Sequence, residues 1–67
     1  MTLEAFNALC ALIRIRHGRA RAAAHLVLID GLRPSEAART VGVSAQSATN
    51  AVTRIRKAHA LARLAAV

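Results

Sequence analysis

Apolar residues recur along this chain at helical spacing from one end to the other. Phe6, Leu9, Cys10 and Ile13 lie three and four residues apart, the period of one helix face. Thr2 stands before them as an N-cap, and Glu4 falls in the first turn, where the helix dipole favours an acid. The pattern predicts a first helix to about Arg16, with Gly18 as the break. A second helix is expected from about Arg19 to Ile29, with Ala23, Ala24, Leu26, Val27 and Leu28 turned inward. Asp30-Gly31 ends it, because glycine takes a left-handed C′ conformation without a Cβ penalty and Leu32 can fold back on the last turn. Pro34 suits the first position of a short third helix to Val41, where its missing N–H costs nothing. Gly42 ends that helix, Val43 is expected to be buried in the turn, and Ser44 caps a fourth helix that meets no breaker between Ala45 and Val67. No segment alternates in the manner of a strand. The expected fold is all-α, a single domain of four to five helices over residues 1–67.

Between Arg33 and Lys57 the spacing is that of a helix-turn-helix. Two helices meeting at roughly 90–120° need a small residue where their backbones touch, and Ala38 is placed for it. Gly42 supplies a positive φ, Val43 plugs the corner, and Ala48, Ala51, Val52 and Ile55 face inward. The opposite face carries Gln46, Asn50, Thr53 and Lys57, with Thr49 on its flank and Ser44 and Ala45 at its start. Asn and Gln pair bidentately with adenine, while Ser and Thr hydrogen-bond to several bases. The face has no acid, as an approach to phosphates requires. The expected base-reading residues are therefore Ser44, Ala45, Gln46, Thr49, Asn50 and Thr53. A helical hairpin packed on a partner protein would share the same inward stripe.

Charge strengthens the nucleic-acid reading. Ten Lys and Arg oppose three acids, a net charge of +7, and an excess of this sign attracts polyanions. Arg33 and Arg39 flank the first helix of the motif, and Arg54, Arg56 and Lys57 extend the second; these five are the expected phosphate contacts. Arg14, Arg16, Arg19 and Arg21 surround Gly18, and part of this set is expected to be plain solvated surface.

Other chemistries find no support. His17, His25 and His59 are too scattered for a metal site, and no Ser-His-acid set, carboxylate pair or phosphate loop occurs, so no enzyme, cofactor or small-molecule ligand is expected. Cys10, the lone cysteine, lies among Leu9, Ala11 and Leu12 and reads as a core residue of a reducing compartment. The chain is 55% hydrophobic, yet charges interrupt every stretch before the roughly 20 apolar residues a membrane helix needs. The longest uncharged run, Thr40 to Thr53, is rich in Ser, Thr, Gln and Asn. The N-terminus lacks the basic segment of a signal peptide, and a cytoplasmic, nucleoid- or plasmid-associated location is expected.

A chain this short buries little surface and leans on a partner, so a homodimer is expected. Leu61 and Leu64 project on the side of Asn50 and Lys57, where the fourth helix had been polar. An apolar face that switches sides needs a second burial surface. Residues 58–67 are the expected dimer contact, with Leu61 and Leu64 at its centre. The alternative is a break near His59 that folds the end back onto its own domain.

The run Val27-Leu-Ile-Asp-Gly31, leading directly into Pro34–Ile55, resembles the KorA/TrfB family of plasmid-encoded repressors. The matching features are Val27-Leu28, Asp30-Gly31, Ala38, Val41-Gly42-Val43, Ala51-Val52 and Arg54, with Phe6 fitting the family's first helix. The resemblance implies a homodimeric repressor of palindromic operators in promoters of plasmid genes. It implies an amide reader at Asn50. Two features depart from it: 67 residues leave no room for the family's separate dimerisation domain, and Ala45 stands where the family tends to place a basic base-reader. Rival readings are a protein-interaction module of the antitoxin or sigma-binding type, a DNA-binding subdomain of a recombinase or sigma-like protein, and a membrane-active amphipathic peptide.

Overall fold

A computed structural model describes residues 1–65 and contains four helices: α1 (Leu3–Leu12), α2 (Arg19–Leu28), α3 (Pro34–Val41) and α4 (Ala45–Ala65). The expected extension of α4 to Val67, and of the dimer segment with it, falls outside the described residues from position 66. Among the described residues there is no strand, and no helix is long and apolar enough to cross a membrane.

Local chemistry explains most boundaries. Thr2 Oγ1 accepts from the Ala5 N–H at 3.1 Å and so starts α1. Pro34 opens α3 in its first turn, and Gly42 closes it in the left-handed region at φ 79°. The Gly42 and Val43 N–H groups both return to the Ala38 carbonyl, at 2.9 and 3.0 Å. Three residues then suffice to reverse direction, and Ser44 Oγ accepts from the Ser47 N–H at 3.1 Å to start α4. At the end of α2, Gly31 has φ 80° and the Leu32 N–H returns to the Leu26 carbonyl at 3.0 Å, the anticipated fold-back.

The first helix stops earlier than its periodicity predicts, at Leu12 and not near Arg16. A Schellman motif closes it: the Ile15 N–H bonds to the Cys10 carbonyl at 2.9 Å and the Arg14 N–H to the Ala11 carbonyl at 3.3 Å. Arg14 takes the left-handed position at φ 59°, the only non-glycine residue described there. For an L-residue this conformation costs about 1–2 kcal/mol. Burial offsets it. Ile13 and Ile15 both pack against the core, and in a continuous helix two residues two positions apart would point to different sides. Gly18 thus begins α2 and does not end α1.

Two buried clusters hold the helices. The larger joins α1, α2 and α4 through Phe6, Leu9, Cys10, Ala24, Ala51, Val52, Ile55 and Ala58, with Ile13, Ile15, Val27, Leu28 and Ile29 packed around it. Phe6, Ile55 and Cys10 are its largest fully enclosed side chains. Burying a Phe or Ile of this kind contributes roughly 1.5–3 kcal/mol. Burial pushes the Cys10 thiol up from its ordinary pKa, with the Arg21 charge pulling partly the other way, so the sulfur is a protonated, buried core group. The smaller cluster joins α2, α3 and α4 through Ala23, Ala37, Ala38 and Ala48, rimmed by Leu26, Leu32, Val41 and Val43. Val43 is half-buried at this rim and not fully enclosed in the turn.

Candidate nucleic-acid interface

The turn Gly42–Ser44 and the first three turns of α4 form the acid-free polar surface anticipated from the sequence. Inward, Ala48, Ala51, Val52 and Ile55 are buried. Outward, Ser44, Ala45, Gln46, Thr49, Asn50, Thr53 and Lys57 are all exposed. At about 100° per residue, Gln46, Thr49, Asn50, Thr53 and Lys57 fall within one arc of roughly 100°. The packing of α4 on α2 and α3 therefore fixes which way this arc points, and the Ser44 cap sets where it begins.

The amides on this face are not independent. Gln46 Nε2 donates to Asn50 Oδ1 at 2.9 Å, a hydrogen bond between exposed side chains one helical turn apart. Ser44 also donates from Oγ to Ser47 Oγ at 3.0 Å, so its hydroxyl is committed to the cap on both sides. That leaves Ser44 as a positioning residue at the start of the face. Ala45 contributes a small, close surface and no hydrogen bond of its own.

The basic residues divide into two groups. Arg33 at the N-cap of α3, Arg39 in its last turn, and Arg56 and Lys57 on α4 are all exposed. Arg54 is also exposed, but it bonds from Nη2 to the Ile13 carbonyl at 3.4 Å and tethers α4 to the end of α1. Arg54 and Arg56 fall about 80° to either side of Gln46 around the helix. In the α1–α2 cluster, Arg21 turns inward: it donates to Asn7 Oδ1 at 3.0 Å, meets His17 Nε2 at 3.3 Å and lies 5.8 Å from the Phe6 ring centroid. His25 closes the same ring edge-on, at 5.4 Å and 88°, with Asp30 3.5 Å from its Nδ1.

Arg19 stands beside this face in a way its position in the sequence hides. Its Nη1 stands 3.8 Å from the point a Cβ on Gly42 would occupy. The first residue of α2 thus reaches the α3–α4 turn, bringing an exposed guanidinium next to the start of the polar face. No spacing rule links positions 19 and 42; only the packing of α2 against the motif does. The Gln46–Asn50 bond, by contrast, was accessible from the four-residue spacing.

Beyond Lys57 the helix changes character. α4 runs without a break to Ala65, so the expected alternative of a fold-back near His59 is not adopted. Ala58 is its last buried residue, and every side chain from Ala60 to Ala65 is exposed. Leu61 is 58% and Leu64 73% exposed. Leu61 borders a shallow groove of about 250 Å³ shared with Ile13, Arg54, Lys57 and Ala58. Among the described residues no His, Cys, Asp and Glu group has the arrangement of a metal site.

No family model matches this chain, and no curated protein or solved structure matches it either.

Proposed function

We propose that this protein binds double-stranded DNA through a helix-turn-helix made of α3 and α4, and acts as a transcriptional repressor on palindromic operators. The observation that carries the reading is the outward arc of α4. Its residues are amides, hydroxyls and one lysine, it holds no carboxylate, Arg54 and Arg56 border it on α4, and Arg19 reaches its start at Gly42. Gln46, Thr49, Asn50 and Thr53 would face base edges in the major groove, while Arg19, Arg33, Arg39, Arg56 and Lys57 would hold phosphates. Arg54 keeps unused guanidinium donors beside its tether and serves a phosphate at the edge. The repressor role and the plasmid setting follow from the resemblance to the KorA/TrfB family, and with them a cytoplasmic location.

The second copy is the proposed partner of the distal half of α4. Two exposed turns extending past the body have little intrinsic stability as helix. A twofold pair packed through Leu61 and Leu64 would cover them and set two reading helices roughly one DNA turn, 34 Å, apart. Leu64→Glu is expected to yield monomers in sedimentation, with a small loss of helical signal as the uncovered turns fray; an undisturbed dimer would place the contact elsewhere.

DNA binding is tested by an electrophoretic shift with random duplex at low salt. The expected result is a shift that weakens steeply as salt rises, since each neutralised phosphate contributes a slope of about −0.9 in log K against log salt. No shift at low salt would overturn the reading and favour a protein-interaction module docking on the same leucines.

A further inference from the structure

The hydrogen bond between Gln46 and Asn50 carries a consequence for which base is read. We propose that Gln46 is a positioning residue that locks the Asn50 carboxamide, so that Asn50 reads one adenine on a defined strand of each half-site. The inference rests on the DNA-binding reading above and goes beyond it in naming the base and the device.

A free asparagine amide turns about its last torsion between two broad, nearly equivalent orientations, exchanging its oxygen and nitrogen. Here Gln46 Nε2 donates to Asn50 Oδ1 at 2.9 Å. Gln46 lies one turn toward the N-terminus, so in the orientation found here the bond sets Oδ1 on that side and Nδ2 away from it. The bond uses one lone pair of Oδ1 and no hydrogen of Nδ2. What remains is one acceptor beside two donors, in a fixed order.

Adenine is the complement. Its N6–H would donate to the free lone pair of Oδ1 while its N7 accepts from Nδ2. Guanine offers two acceptors, N7 and O6, and would set O6 against Oδ1. Cytosine offers a donor without the neighbouring acceptor, and thymine an acceptor beside a methyl group. Exchanging A·T for T·A reverses the order of donor and acceptor across the groove. A locked amide therefore distinguishes the two, whereas a freely turning one accommodates either.

The test compares duplexes selected from a random pool by the wild-type protein and by Gln46→Met, which keeps side-chain length and helix propensity but has no N–H. The wild-type protein is expected to enrich adenine over thymine at one strand position per half-site by about five- to 150-fold, the discrimination of one good bidentate contact. Gln46→Met should lose most of this strand bias while its helical spectrum and melting temperature match those of the wild-type protein. Placing 7-deazaadenine, which lacks the N7 acceptor, at the selected position should weaken the wild-type protein and leave Asn50→Ala unaffected. The same adenine bias in Gln46→Met would overturn the proposal, as would guanine or cytosine at that position. Binding without base preference would overturn it and leave the DNA interface standing. Failure to bind any duplex would overturn both.

Discussion

The cluster around Phe6 seals α1 against α2 and α4 with side chains of several sizes, whereas the joint of α2, α3 and α4 is filled by four alanines. These interiors do different work. Transfer of Phe6, Leu9, Val52 and Ile55 out of water supplies most of the hydrophobic stabilisation, because it scales with apolar area. An alanine buries little area, but it lets two helix backbones come close, and interaxial distance and crossing depend on the residues at the contact. The first interior determines whether the domain is folded. The second determines the angle at which α4 presents Gln46, Asn50 and Thr53. Stability and presentation of the proposed reading face should therefore be separable by mutation.

Phe6→Ala should have the largest effect. Removing a buried Phe costs about 3–5 kcal/mol, comparable to the whole stability expected of a domain this small, about 0.05–0.15 kcal/mol per residue. Circular dichroism should show no cooperative thermal transition near that of the wild-type protein. A variant that melts normally would mean that the Phe6 cluster does not dominate. Ala48→Leu should be intermediate. Overpacking of this kind costs about 1–3 kcal/mol, so the melting temperature drops but a folded state remains. Because α4 must move away from α2 and α3, DNA binding should fall even under conditions where the variant is fully folded. Loss of stability with unaltered DNA binding would erase the distinction between the two interiors.

The α3–α4 motif was the most legible part of the sequence. Pro34, Gly42 and Ser44 each have a backbone role that few other residues fill, and the structure places helix boundaries where those roles require. The end of α1 was not legible. Its Schellman closure uses Arg14 at positive φ, and arginine gives no local sign of that conformation. What favours it is the packing of the half-buried Ile13 and Ile15 against the core, a tertiary effect. The arginines illustrate the same limit. Composition shows that they are numerous, yet Arg21 is spent on Asn7 and the Phe6 ring and Arg54 is tethered to Ile13, while Arg19 reaches the turn at Gly42. Those assignments depend on which helices pack together, and one-dimensional spacing does not contain them. The inward stripe of α4 was readable because it lies within one helix; the distal leucines, Leu61 and Leu64, are covered by no part of the described fold.

Asn50 lies in neither interior, so its side chain should matter to recognition and not to folding. The most direct measurement is the affinity of Asn50→Ala for a selected operator and for random duplex, taken side by side at one salt concentration. The account predicts an unchanged melting temperature, a loss of at least about fivefold on the operator, the low end for one bidentate base contact, and unchanged affinity for random duplex. Equal losses on both duplexes, or none on either, would contradict the assignment of this face of α4 to base reading.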